Sequence, residues 1–536
     1  MLDRDPVAAT YLGDHERDGL LPDPSTEAAD ARAGQLRALL AELDALPPDG
    51  SADDDVDAEV LRTVLAAELF DLEALREPEW NPMLHNPGGG LHALISRDFA
   101  PLADRLASLT QRLAAIPDYL AAARARLGEM PQVHVQTTLL QLGGTMSLVN
   151  AARAAAAEHT PQIRVELDRA ADDAEAALVR HRHWLAEQQS PAARDPRIGE
   201  DLFRGRLALT LDTAFDPESL LAEAQLNLTR VEAAIVEQAA RLAEGQRADG
   251  RTVRDVLADL ARDAPTDETI LRECANALTE TTAFVRDRNL VTVYDDPINV
   301  VEMPEIDRGV SVAYCRPNGP LEDAEIPTEV AVSPTPAEWT ADQVASFYRE
   351  YNRHMLHDLT VHEAMPGHAL QLMHSNRHRT STRIRSVWPS GSFVEGWAVY
   401  AEELMAGHGY REQVSPRAAA ALCMQQLKMQ LRMTINAILD IRFHCDDLDE
   451  AAALDLMRRR GYQEQGEADG KRRRVQLTST QLCTYYVGYV ETSRIAADLR
   501  ARQPHWSELR RHDEMLAHGS PPPRHLRSLL GLAADA

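Results

Sequence analysis

The sequence predicts a mainly α-helical, two-lobed fold with a small β-sheet near the cleft between the lobes. Three observations predict it. The 536-residue chain is rich in Ala, Leu, Arg and Glu and holds only 5% aromatic residues, a composition that favours helices. Most of its first half has apolar residues spaced three and four apart. Near residue 290 that pattern yields to short β-branched runs separated by Pro, Asp and Gly, and helical spacing returns at about Thr340.

In chain order, "TEAADARAGQLRALLAELDAL", "PLADRLASLTQRLAAI", "DYLAAARARLGEM" and "PESLLAEAQLNLTRVEAAIVEQAARLAEG" each read as amphipathic helices. Breaks are expected at Pro47-Pro48, at Asn86-Pro87-Gly88-Gly89-Gly90, and at the Pro/Asp stretches between helices. No fixed repeat period is present. "NLVTVYDD", "INVVEMP", "GVSVAYC" and "TEVAVSP" read as strands. The expected organisation is therefore an N-terminal helical lobe over 1–290, strands and loops lining the cleft over 291–340, and a second helical lobe over 341–536.

The totals exclude several classes of function. A formal net charge of −28 argues against nucleic acid or an anionic membrane as partner. The five cysteines (Cys274, Cys315, Cys423, Cys445, Cys483) are scattered without a CxxC pair, which fits buried thiols in a reducing compartment. "MLDRDPVAATYLGDHERDG" has early acids and no apolar centre, so it does not read as a signal peptide, and no long apolar run is present. A cytoplasmic location is the expectation.

The segment richest in chemistry is "VHEAMPGHALQ", Val361 to Gln371. Zinc needs ligand atoms about 2.0–2.2 Å from the ion, so two ligating imidazoles must share one face. His362 and His368 are six residues apart; on a regular helix they would lie about 120° apart and roughly 9 Å along the axis, too far to share one ion. Pro366 removes a backbone donor and Gly367 permits unusual dihedrals, so a helix is expected to break between Ala364 and His368. That break admits two readings. It either swings His368 back beside His362, or simply ends a helix with two histidines on either side of the end. Glu395, in "SFVEGWAVYAEEL", favours the first. It lies among Phe393, Val394, Trp397 and Ala398, where a carboxylate is costly to bury without a counter-charge, and a metal supplies one.

"HEAMPGHALQ", "EGWAVYAEEL" and "QLCTYYVG", in that order, resemble the three signatures of the bacterial family named domain of unknown function 885, and "IGEDLFRGRLAL" resembles its N-terminal half. That family is similar in helical architecture to gluzincin-type zincin peptidases of the thimet-oligopeptidase and carboxypeptidase Taq kind. The resemblance implies a zincin-like fold, Zn2+ as cofactor, His362, His368 and Glu395 as its ligands, and Glu363 as general base. It places Glu402 where a carboxylate could orient a ligand histidine. In its third signature Gln481, Tyr485 and Gly488 fall on the pattern, with Arg474 seven residues before the glutamine. Tyr485 or Arg474 could then stabilise an oxyanion. Two positions depart from the family: Ala369 replaces a usual histidine, and Ser479-Thr480 stand where a proline is usual.

Other histidines fit blander roles. His354 and His357 are spaced for a small surface metal site or for ordinary exposure, His374 and His378 flank the motif, His444 ends a helix near acids, and "RHRHW" at 180–184 reads as a solvated charge run. The expected function is a zinc-dependent hydrolase of peptide or amide bonds, acting on a peptide or small amide. A small non-peptide amide as substrate, or a non-catalytic scaffold that has lost its metal, are the alternatives.

Overall fold

The computed structural model of the chain describes residues 2–46, 51–157, 161–189, 194–243, 249–304, 312–336 and 339–532. The expected break at Pro47-Pro48 and the start of "GVSVAYC" lie outside these residues. The first half comprises α1 (Pro6–Leu12), α2 (Thr26–Asp44), α3 (Ala52–Phe70), α4 (Gly88–Ser96), α5 (Leu102–Arg126), α6 (Gln132–Ala157), α7 (Pro161–Glu187), α8 (Glu200–Leu211), α9 (Pro217–Leu242), α10 (Gly250–Leu260) and α11 (Ile270–Arg288). The strands β1 (Ile298–Glu302), β2 (Ala313–Arg316) and β3 (Thr328–Val332) follow. The rest is α12 (Ala341–Glu350), α13 (Arg353–Glu363), α14 (His368–Arg377), α15 (Ile384–Val387), α16 (Gly391–Gly407), α17 (Pro416–Cys445), α18 (Glu450–Asp455), α19 (Gln465–Leu477), α20 (Cys483–Arg502), α21 (Glu508–Leu516) and α22 (Pro523–Leu529). The fold is mainly helical with one small sheet. No helix among the described residues is long and apolar enough to cross a membrane.

Side chains at the boundaries explain several of these elements. Thr340 starts α12 by accepting from Gln343 N, and the Gln343 side chain reaches back to the Thr340 N–H. Asp216 and Ser219 do the same for α9. Two elements differ from the expectation. Pro117 does not end a helix; α5 runs through it, because Leu113, Ile116 and Leu120 on either side are fully buried in one core. That packing outweighs the loss of one backbone hydrogen bond, roughly 3 kcal/mol. "NLVTVYDD" is irregular and pairs with no strand among the described residues. Its Thr292 is held instead by Asp513, which accepts from the backbone N at 2.8 Å and from the hydroxyl at 2.6 Å.

The sheet has the order β1-β3-β2, with β1 parallel and β2 antiparallel to the central strand. Val300 pairs with Val330, and Cys315 pairs with Val330 from the other side. Three cores hold the fold together. One lies among α4 to α7, with Leu91, Leu113, Val135 and Leu178 at its centre. A second joins α8–α10 to α17 and α20 through Phe203, Leu228, Ile235, Leu431, Ile435 and Val487. The third gathers α11, the sheet, α13, α14, α16 and the C-terminal helices around Val285, Val330, Val361, Leu370, Trp397 and Leu526. Val285, Leu290 and Val291 all pack in this third core, so the change of texture near residue 290 falls inside it.

A glycine-lined crossing of α16 and α20 lies beside the site. A Cβ on Gly396 of α16 would lie 2.2 Å from the Gly488 carbonyl oxygen, and one on Gly488 of α20 would lie 2.0 Å from the Ser392 oxygen. Only glycine lets the two backbones touch there. Glu395 is the neighbour of that crossing and is fixed by it.

Candidate metal centre

Asn352 starts α13, its side chain accepting from His354 N and Met355 N at 3.1 and 3.3 Å. The helix stops at Glu363, residues 364–367 leave helical geometry, and α14 restarts at His368. Within the break the Met365–Pro366 peptide is cis. The Gly367 N–H donates to the Val361 carbonyl at 2.9 Å, and the Trp397 indole donates to the Pro366 carbonyl at 2.8 Å. The break is therefore clamped from its own helix and from α16.

Its consequence is that the two imidazoles meet. Their ring centroids are 4.7 Å apart and nearly perpendicular. His362 Nε2 and His368 Nε2 each lie 3.4 Å from the same atom, Glu395 Oε2. One ligand atom from each of the three residues falls within 4.8 Å of the other two. Glu395 Oε2 is buried and accepts no hydrogen bond. A buried carboxylate oxygen left unsatisfied between two imidazole nitrogens is costly to fold unless a cation completes it. Two neutral imidazoles and a carboxylate form a donor set suited to zinc. The residues present fit the ion.

Charges around the cluster are arranged for that role. Burial would raise the Glu395 carboxyl, but the charge of His368 first, and the closeness of both imidazoles, pull it well below the usual carboxylate range. Burial disfavours protonated His362, yet Glu395 and Glu402 together push its pKa well above the ordinary imidazole value. Glu402, 1% exposed, takes the other face of that ring: His362 Nδ1 lies 2.6 Å from Glu402 Oε1. Holding Nδ1–H there fixes the tautomer that turns the Nε2 lone pair towards Glu395. Behind Glu402 lies Asp358, buried, with Oδ2 unpartnered and its pKa raised well above the usual value by burial and then by Glu402. Asp358 was not among the expected residues, although it lies one helical turn before His362 and so on the same face.

Glu363 is the last residue of α13 and is 8% exposed. Its carboxylate accepts no hydrogen bond from the described residues, and it lies near Cys315 of β2, whose thiol its charge helps to raise, secondary to burial. Arg474, Gln481 and Tyr485 form a separate trio, half-buried, in which the Arg474 guanidinium donates to Gln481 Oε1 at 2.9 Å and to the Tyr485 hydroxyl at 3.2 Å. Burial would lower the Arg474 pKa, but Tyr485 and then the charge of Glu395 raise it.

The positions that depart from the family pattern also have physical settings. Ala369 is fully buried in the third core. Thr480 has φ +64, a value closed to the proline ring, so a proline at that position would not fit this turn. Among the other histidines, His357 Nδ1 lies 3.0 Å from the Tyr410 hydroxyl and His354 Nε2 3.8 Å from Asp263, so the pair is engaged by different partners rather than forming a surface site. His374 and His378 contact the carbonyls of Thr292 and Ala517. His444, in the last turn of α17, contacts the Thr478 carbonyl. His181 is 1% exposed, against the expected solvated run, because α7 turns it into the first core while Arg180, Arg182 and His183 stay outside.

Comparison with known proteins places this geometry on a wider fold. The profile of a bacterial family described as of unknown function, DUF885, matches residues 6–530. A candidate lipoprotein of unknown function from Shewanella oneidensis superposes with a TM-score of 0.81 at 27% identity, covering 99% of this chain and 97% of its own. A candidate lipoprotein from Colwellia psychrerythraea gives a TM-score of 0.81 over 99% and 96% of the two chains; at 16% identity it speaks for the fold alone. Among curated proteins none matches.

Proposed function

Since the chain belongs to the bacterial family DUF885, whose function is unknown, we propose a function from its own site: a zinc-dependent hydrolase of peptide or amide bonds, of the gluzincin type. The observation that supports this most directly is the shared oxygen, Glu395 Oε2, lying 3.4 Å from the Nε2 atoms of both His362 and His368 and otherwise unpartnered. Bound there, zinc would lower the pKa of a water towards neutrality and polarise a substrate carbonyl. Glu363, buried and without a hydrogen-bond partner among the described residues, is the base that takes the proton of the attacking water. The Tyr485 hydroxyl accepts from Arg474, which leaves its own proton free to donate to the oxyanion of the tetrahedral intermediate. Strand β2, packed beside α13, offers a backbone along which an extended peptide can align.

The test is elemental analysis of protein purified without a histidine tag. Roughly one zinc per chain is expected of a closed two-histidine, one-carboxylate set; only trace metal would sink the reading. Glu402 supplies a second test. Glu402→Ala should weaken zinc affinity by about 10–100-fold, since the partner that fixes the His362 ring is lost. Competition against a chelating dye measures it, and unchanged affinity would remove Glu402 from the site. The five free cysteines favour a reducing, cytoplasmic location. The Shewanella oneidensis relative, described as a lipoprotein, sets the contrary case of a membrane-attached protein, and fractionation of cells producing the full chain decides between them.

A further inference from the structure

Between α12, α17 and α19 lies a buried ionic network next to the Arg474 trio. Lys428 Nζ lies 2.9 Å from Glu350 Oε2, which also accepts from the Glu464 backbone N–H at 2.8 Å. Arg432 pairs with Glu467 Oε1, and the Tyr351 hydroxyl donates to Glu467 Oε2 at 2.9 Å. Glu350 Oε2 and both oxygens of Glu467 are thus engaged. Lys471 enters the same network with nothing of its own. It is 4% exposed, and its Nζ reaches only to 4.0 Å from Glu467 Oε1, the oxygen already taken by Arg432. Four basic side chains (Lys428, Arg432, Lys471, Arg474) therefore face two acidic ones (Glu350, Glu467).

A buried ammonium beside two arginines, which reaches a carboxylate only at 4.0 Å and shares that oxygen with Arg432, is unfavourable for the free protein. Burial and then repulsion from Arg432 and Arg474 hold the Lys471 pKa well below the usual lysine value. Half-buried Arg474 lies one turn further along α19, holds Gln481 and Tyr485 by hydrogen bonds, and feels the charge of Glu395. An anion entering at Arg474 would meet a planar guanidinium suited to a carboxylate, with Lys471 behind it.

We propose that Lys471 and Arg474 form a carboxylate-binding subsite next to the metal centre. Resting on the hydrolase reading above, this assigns the substrate class: amides with a free carboxylate close to the bond that is cut, meaning the last peptide bonds of a chain or an N-acyl amino acid. The alternative, a network kept only for folding, predicts no preference between a free acid and its amide.

The test compares dansyl-Ala-Ala-Ala as free acid and as C-terminal amide, by fluorescence anisotropy, on the zinc-loaded full chain in a Glu363→Gln background. The acid is expected to bind about 10-fold tighter or more, the worth of one or two hydrogen bonds between charged groups. Adding Lys471→Met should level the two affinities and leave that for the amide unchanged, whereas Lys471→Arg should keep the preference. Removing an unpaired buried charge should not lower the melting temperature of Lys471→Met. Equal binding of acid and amide, a preference that survives Lys471→Met, or no binding of the acid at millimolar concentration each overturn the proposal. Because the readout is binding, a protein that prefers the acid yet hydrolyses no peptide overturns the hydrolase reading and supports the subsite. A protein that cleaves both forms with equal kcat/KM and binds both equally does the reverse.

Discussion

Glu363→Gln is expected to lower peptide hydrolysis by about 10²–10⁴-fold while leaving zinc content unchanged. Glu363 is the residue after His362 and closes α13, so its side chain is placed by the same helix end that places the first ligand. At 8% exposure and with no hydrogen-bond donor bound to it among the described residues, the carboxylate is kept available rather than spent on packing. Glutamine has the same shape and can still accept a hydrogen bond, so it preserves the cavity and the ligand geometry but cannot take a proton. The measurement pairs kcat on a peptide library with zinc analysis of the same sample. Hydrolysis within a few-fold of the parent, with zinc retained, would mean that another group serves as base. Loss of zinc together with activity would mean that Glu363 holds the site rather than reacting in it.

Much of this centre is legible in the sequence because its logic is local. Two histidines six residues apart cannot share a face on a regular helix, and the proline and glycine that break it stand between them. Glu402 is seven residues past Glu395, two turns along one helix, and it does reach His362. What the sequence hides depends on partners far along the chain. "NLVTVYDD" has strand-like composition, but Asp513 from the C-terminal region claims the Thr292 backbone N–H that a neighbouring strand would need. Pro117 reads as a stop until the core on both sides of it is known. Lys471 and Arg473 look alike in "KRRRVQ", yet the orientation of α19 buries one and exposes the other. Burial of a charge is decided by packing, and periodicity on so polar a helix does not announce which face will be inside.

Gly367→Ala should cost the protein its metal site, lowering zinc affinity by about 10²-fold or more. The effect follows from contact with the carbonyls that surround the turn. A Cβ there would lie 1.9 Å from the His362 carbonyl oxygen and 2.3 Å from that of Val361, distances no real side chain attains. Neither oxygen can retreat easily: the Val361 carbonyl accepts the Gly367 N–H, and Trp397 grips the adjoining Pro366 carbonyl from α16. The chain must therefore open between residues 364 and 368, and His368, the first residue of α14, moves with it. Two imidazole nitrogens that share one carboxylate oxygen at 3.4 Å have no slack for such a shift. Gly391→Ala is the control. Its Cβ would meet only the Thr484 methyl at 3.7 Å, ordinary contact at the start of α16, so zinc affinity and melting temperature should stay at the parent values. Zinc titration and calorimetry on the two variants separate a local lesion from general instability. Parental affinity in Gly367→Ala would mean that the approach of the two histidines does not depend on this turn.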